Sequence, residues 1–270
     1  MTINNALAMD DYRADPAWSA SDLKAFRLGP PAMVPWSREH PRESSDTMKL
    51  GTACHAAILE GDAVAERYAF KPEDMSFATK EGKVWKAAHQ GKIILTAKEA
   101  DIVTGVVEAF EGKELARAAL EQALGKEASV FWTNDAGVKL KARPDFYTAD
   151  AVYDLKVSRH AAANQIMWRS YGDGWCHQLA HYREGLRANG VAIKHGRLIV
   201  IHPKPPHVVY CVEIKPDALD LLALENAATI AAMAKFATND VWPWTPDEWT
   251  LTDLPPTALA AAVFSDGDPE

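Results

Sequence analysis

Residues 141–159 read KARPDFYTADAVYDLKVSR and carry two acids and an amine at a spacing that can do chemistry. Asp145 closes one extended segment. Asp154 and Lys156 stand two apart on the next, so strand alternation sets them on one face while Leu155 turns into the core. If the two segments pair, Asp145 and Asp154 can share one divalent cation, and the Leu155 carbonyl can add a third oxygen. An oxygen-rich set with positions left for water and phosphate suits Mg²⁺ or Mn²⁺ rather than zinc. Lys156 beside it would favour deprotonation of an attacking water and stabilise charge developing on a phosphate oxygen. That is chemistry for hydrolysing a phosphodiester. A D-x-K on a strand also occurs as plain structure. Here Pro144-Asp145, an eight-residue gap and Asp154-Leu155-Lys156 occur together, on a hairpin followed by helices.

The elements that must position these groups follow from periodicity. Apolar spacing and capping signals predict helices over residues 20–28, opened by Ser19 with Asp22 three residues on, and 48–60, stopped by Gly61. Between them GPPAMVPWSREHPRESSDT, with four prolines, reads as a long connection. Helices are expected at 80–90, 97–111 and 113–124. The period then changes to two: strands at 128–133 and 138–147 flank the turn Asn134-Asp135-Ala136-Gly137, with Val138, Leu140 and Ala142 on a buried face and Lys139, Lys141 and Arg143 opposite. A strand at 151–157, helices at 161–170 and 174–189, strands at 197–202 and 207–215 and a helix at 216–236 complete the order. It predicts an α/β (α+β) chain with a small central mixed sheet flanked by helices, preceded by helical additions. We expect one domain over 1–270: a mainly helical part to 125, the catalytic sheet and helices over 126–215, and a terminal helix with a Trp/Pro-rich tail from 216.

The chain has 270 residues, 48% hydrophobic and 24% charged, an ordinary globular composition that excludes a collagen-like or disulfide-dense class. Three scattered cysteines, Cys54, Cys176 and Cys211, signal neither a disulfide framework nor a thiolate metal site. No apolar run approaches a membrane span and the start lacks a secretory pattern, so a cytoplasmic setting is expected. Net charge is −8, yet residues 136–215 hold twelve Lys and Arg against six acids. The segment from 216 onward has one lysine against ten acids. An acidic exterior around a locally basic segment would suit a protein that surrounds DNA.

With these motifs the sequence resembles the PD-(D/E)XK nuclease superfamily, and within it the exodeoxyribonuclease VIII-type exonucleases of phages and prophages. Leu50-Gly51-Thr52-Ala53-Cys54-His55 is similar to that family's L-G-T-x-x-H helix, and Gln178-x-x-x-Tyr182 to its Q-x-x-x-Y helix. Glu127 with Phe131-Trp132 matches the strand before the P-D hairpin. The resemblance spans about residues 18–236 and implies a restriction-endonuclease-like core. It implies that Asp145, Asp154 and His55 ligate one or two Mg²⁺ ions, with Mn²⁺ able to substitute, that Lys156 activates or orients water, and that Glu127 is a carboxylate beside the metal. Gln178 and Tyr182, one helical turn apart, would contact DNA phosphate or orient Lys156. Gly51, one turn before His55, would let the helix approach the sheet closely. Ser21, Lys24 and Arg27 on the opening helix, with Arg143 and Arg159, are candidate DNA-binding residues. The implied activity is 5′-to-3′ digestion of double-stranded DNA ends, leaving 3′ single strands for recombination. Implied with it are a ring-shaped homo-oligomer, a single-strand annealing partner and a location in the bacterial host cytoplasm.

Other readings remain at this point. His177 and His181, at i and i+4, have the spacing of a zinc-hydrolase helix, but Gln178 stands where that chemistry needs a glutamate base. A structure-specific or nicking endonuclease would use the same acids and lysine. A DNA-binding relative without activity is disfavoured because both acids and the lysine are present, and an iron–sulfur branch is excluded by the three scattered cysteines.

Overall fold

The computed structural model describes residues 1–41, 45–160 and 163–245. In chain order the elements are β1 (Thr2–Asn4), α1 (Met9–Ala14), α2 (Ala20–Leu28), α3 (Met33–Glu39), α4 (Asp46–Glu60), α5 (Val64–Arg67) and β2 (Tyr68–Phe70). They continue as α6 (Lys80–Ala88), β3 (Ile93–Leu95), α7 (Ala97–Glu111), α8 (Glu114–Glu121), β4 (Gly125–Lys126), β5 (Ser129–Thr133), β6 (Lys139–Ala142) and β7 (Phe146–Tyr147). The last are β8 (Ala151–Val157), α9 (Ala163–Gly172), α10 (Trp175–Ala188), β9 (His195–Ile201), β10 (Val209–Ile214) and α11 (Pro216–Asn239).

A mixed five-stranded sheet in the order β10-β9-β8-β7-β4 forms the centre, with β8 and β9 parallel and the other neighbours antiparallel. Strand alternation divides β8 between two cores. Val152 packs with Leu179, Leu186 and Leu219 of α10 and α11, whereas Ala151, Tyr153 and Leu155 pack with Cys54, Ile58, Val106 and Phe110 of α4 and α7. The sheet is thus sandwiched between helical layers, as expected for an α/β chain. Among the described residues no helix is long and apolar enough to cross a membrane.

Four expectations are corrected. The span 138–147 is not one strand: β6 pairs with β5 in a separate three-stranded sheet, β1-β5-β6, while β7 joins the central sheet. The register nevertheless runs through, since Lys126 faces Phe146 and Val130 faces Ala142. Pro144, which has no N–H to give to a ladder, lies in the gap. Second, β6 is buried on both sides. Lys141 is buried, its Nζ donating to the Tyr12 and Asp15 carbonyls at 2.7 Å each at the end of α1, so its charge is solvated by backbone rather than by water. Third, the proline-rich connection contains α3. Pro30 and Pro31 precede that helix and Pro35 falls in its first turn, where an amide hydrogen has no intrahelical partner. Last, Gly51 does not mark a close approach, for a Cβ there would meet no heavy atom of the described residues within 4 Å.

Tight packing occurs instead at Gly185 on α10, where a Cβ would lie 2.6 Å from the Trp132 ring on β5. This contact seats α10, the helix carrying Gln178 and Tyr182, on the sheets. The Trp/Pro-rich tail begins by packing onto the core: Trp242 lies 6.0 Å from the Phe236 ring and the Pro243 carbonyl accepts the Ala32 amide. Trp244 is exposed, and Trp249 lies outside the described residues.

Candidate active site

The site forms where the long hairpin passes from one sheet to the other. Glu127 turns the first strand there with φ of 46°, a left-handed conformation that costs a non-glycine residue about 1 kcal/mol. Its amide donates to the Asp145 carbonyl at 2.8 Å, which locks the opposite strand at the residue after Pro144. The register of β7 against β8, Phe146 to Tyr153 and Tyr147 to Val152, then brings Asp145 beside Asp154. The Asp145 Oδ2 accepts the Leu155 amide at 2.5 Å. The expected pairing of the two acid-bearing segments is therefore present.

His55 reaches this edge from α4, its Nδ1 3.4 Å from Asp145 Oδ1. The helix is tied to the sheet just beyond, where Lys126 Nζ donates to the Leu59 carbonyl at 3.0 Å. Burial acts to lower the basicity of His55, but the facing Asp145 outweighs it and raises the imidazole pKa. Asp145 responds in the opposite sense. Burial alone would raise its pKa, and His55, Lys156 and the Leu155 amide hold it below the usual carboxylate range.

On the α10 side of β8, Asp154 is almost completely buried, with Lys156 Nζ 2.6 Å from its Oδ2. Lys156 also donates to Gln178 Oε1 at 3.2 Å, and the other end of that amide donates to the Tyr182 hydroxyl. The two bonds fix which way Gln178 points, oxygen to the ammonium and nitrogen to the phenol. Gln178 and Tyr182 thus form a buttress for Lys156. Burial, opposed only in part by Lys156 and reinforced by Asp145, pushes the Asp154 pKa up to about 6. Tyr182 is driven well above its ordinary range, first by burial and then by the two acids, so its hydroxyl is neutral.

These residues suit a hard divalent cation. Asp154 Oδ2 is buried, with the Lys156 ammonium 2.6 Å away against it. A desolvated carboxylate of raised pKa next to a second carboxylate is a place where a cation lowers the energy. Asp145 and Asp154 are the side chains that could hold one. His55 is turned to Asp145, and among the described residues no three His, Cys, Asp or Glu side chains form a closed cage.

The other sequence candidates divide clearly. Glu127 stands 4.0 Å from Arg143 at the hairpin bend, touching the site through its backbone. Arg143 donates to the Leu7 carbonyl and to Ser129 Oγ, at 3.0 and 2.6 Å, which anchors it inside the amino-terminal segment. Arg159 is exposed just beyond β8, and Ser21 is exposed near the start of α2. Lys24 and Arg27 on α2 come against Gly174 at the start of α10. The two histidines of the zinc reading use their Nε2 atoms elsewhere, His177 on Glu225 at 2.8 Å and His181 on the Lys141 carbonyl at 3.0 Å. Missed from the sequence was Trp175, whose ring lies 6.0 Å from Lys156 Nζ. Its only sequence signal is an aromatic residue three positions before Gln178.

A mixed sheet between helical layers, with two acids and a lysine at a broken hairpin, defines a PD-(D/E)XK-like protein. Over residues 19–251 the chain matches the model of the family described as a PDDEXK-like domain of unknown function, DUF3799, and it belongs to that family. Among solved structures it is similar to a putative exonuclease from Eubacterium rectale, with a TM-score of 0.63 and 13% identity over 94% of this chain and 98% of that one. It is also aligned with a phage-related exonuclease from Haemophilus somnus, with a TM-score of 0.35 and 12% identity over 69% of this chain and 94% of the other. A comparison with curated proteins returns no match.

Proposed function

We propose that the protein is a metal-dependent exodeoxyribonuclease that digests linear double-stranded DNA from 5′ ends and leaves 3′ single strands for recombination. The observation that carries the reading is Lys156, held between Asp154 at 2.6 Å and Gln178 at 3.2 Å on the strand beside Asp145. Mg²⁺, or Mn²⁺ in its place, held by Asp145, Asp154 and the Leu155 carbonyl, would supply Lewis-acid polarisation of the scissile phosphate. Around it, Lys156 orients the attacking water and offsets charge growing on a phosphate oxygen. Gln178 and Tyr182 keep the ammonium from turning wholly onto Asp154. His55 holds Asp145 in its ionised form. In the net reaction water adds its oxygen to phosphorus, the ester P–O bond breaks, and a proton passes to the departing alkoxide.

The likeness in fold to the Eubacterium rectale protein supports the exonuclease reading, and the resemblance in motifs supports its polarity, a ring-shaped oligomer and a single-strand annealing partner. The test is digestion of linear and closed circular plasmid with Mg²⁺, comparing wild type, Lys156→Ala and an EDTA control, with end-labelled duplexes to read polarity. Loss of the linear form alone from 5′ ends, with the variant inactive, is the expected result. Cutting of the circle moves the assignment to an endonuclease, and absence of metal-dependent cleavage overturns it. Light scattering of the active protein tests the ring, which a monomeric mass with processive digestion retained refutes.

A further inference from the structure

Helix α9 starts six residues after the catalytic strand and packs on α10, yet carries an apolar stripe that the rest of the described chain leaves open. Met167, Trp168 and Tyr171 are 61%, 73% and 58% exposed. At about 100° per residue they fall within an arc of roughly 100° on one side of the helix. Burial of Ile166 and Ser170 attaches α9, with Tyr171 adding a ring contact to His177 of α10. Large aromatic side chains grouped in this way mark a binding surface rather than scattered surface apolarity.

What surrounds the stripe indicates its occupant. Tyr171 is held by the His177 ring, 5.1 Å away in a tilted contact, so this plane is preorganised. Three residues on, Gly174 adopts φ of +77°, and a Cβ there would lie 2.5 Å from the Arg27 guanidinium and 3.8 Å from Lys24 Cδ. The missing side chain lets the Arg27 guanidinium settle at the junction of α9 and α10, with the aliphatic part of Lys24 beside it. Trp175, the next residue, borders Lys156. Aromatic planes thus adjoin cations, and the track leads to the reactive lysine. Bases with free faces stack on aromatic rings while their phosphates seek cations, whereas paired bases inside a duplex expose no face.

We infer that the exposed face of α9, centred on Trp168 and Tyr171, is a stacking platform for unpaired nucleotides of single-stranded DNA next to the active site. This rests on the nuclease reading and adds a binding site to it. The unpaired strand near a resected end is the ligand, its bases on α9 and its backbone toward Arg27 and Lys24.

The test uses fluorescein-labelled dT₂₀ and a blunt 20-base-pair duplex in EDTA, read by anisotropy with wild type, Trp168→Ala, Trp168→Phe and Tyr171→Ala. The platform requires each alanine variant to bind dT₂₀ about tenfold more weakly. Trp168→Phe should stay within about threefold of wild type, with blunt-duplex affinity and the mass in light scattering unchanged. Unchanged dT₂₀ affinity in the alanine variants overturns the inference. So does equal weakening on both probes, or a fall in mass, which would make the stripe an interface between copies. Magnesium-dependent cleavage of linear duplex by wild type is scored separately. Failure there removes the nuclease reading, while failure at dT₂₀ with cleavage intact removes only the platform.

Discussion

Asp145 and Leu155 are joined by a 2.5 Å hydrogen bond from backbone amide to carboxylate, and this bond fixes the first acid against the strand that carries the second. Asp145→Asn keeps an oxygen for that amide but removes the charge facing His55. Cleavage of linear duplex should fall by about 10²–10³-fold while the thermal transition stays close to wild type. Turnover assays paired with circular dichroism melts check this, and retained activity would show that the Asp145 charge is dispensable.

Gln178 acts through Lys156, so its replacement should change kcat more than KM. Gln178→Ala frees the ammonium to turn further onto Asp154 and should cost roughly tenfold or more in kcat. Tyr182→Phe deprives the amide nitrogen of its acceptor and should cost less, with about 1 kcal/mol of stability lost. Kinetics that show both losses in KM alone would assign the pair to substrate binding instead.

Cation binding should show in stability as well as in activity. A ligand that binds only the folded chain raises its melting temperature in proportion to the logarithm of concentration. Mg²⁺ or Mn²⁺ should therefore raise the transition of wild type, EDTA should reverse the effect, and Asp154→Asn should abolish it. An equal rise in the variant would place the binding elsewhere.

His181 makes stability depend on pH. Burial pushes its pKa down to about 4, with the ring donating from Nε2 to the Lys141 carbonyl. The unfolded chain takes up a proton near pH 6.5 and the folded chain does not, so stability is full above that value. It is then lost as pH falls from about 6.5 toward 4, by an amount on the order of 3 kcal/mol. Urea titrations at pH 7.5 and 5 should show the loss in wild type and a smaller one in His181→Gln; identical slopes would dismiss the assignment.

At Gly185 the contact with Trp132 leaves no room for a methyl group. Gly185→Ala should destabilise by about 2 kcal/mol through overpacking, and combination with Trp132→Leu should recover part of it. Additive losses in the double variant would mean the two residues do not share that space.

The chemical core of the site was legible in sequence because its signals are local. The two-residue step from Asp154 to Lys156 sets them on one face, the four-residue step from Gln178 to Tyr182 stacks them on one helix, and both periods belong to the backbone. Residues with signals of the same short range, such as Ser19 with Asp22, also stood out: the Asp22 carboxylate accepts the Ser19 amide at 2.7 Å. Long-range pairing decided the rest. Nothing local in Lys141 distinguishes a solvated strand face from a buried ammonium, because its three carbonyl neighbours come from the end of α1 and the residue after it, some 130 residues earlier in the chain. The division of one hairpin between two sheets, the meeting of His55 with Asp145 and the open stripe on α9 depend likewise on which surfaces pack together. Periodicity determines the faces each element presents; burial, hydrogen-bond satisfaction and close contact between elements distant in sequence determine which of those faces meet.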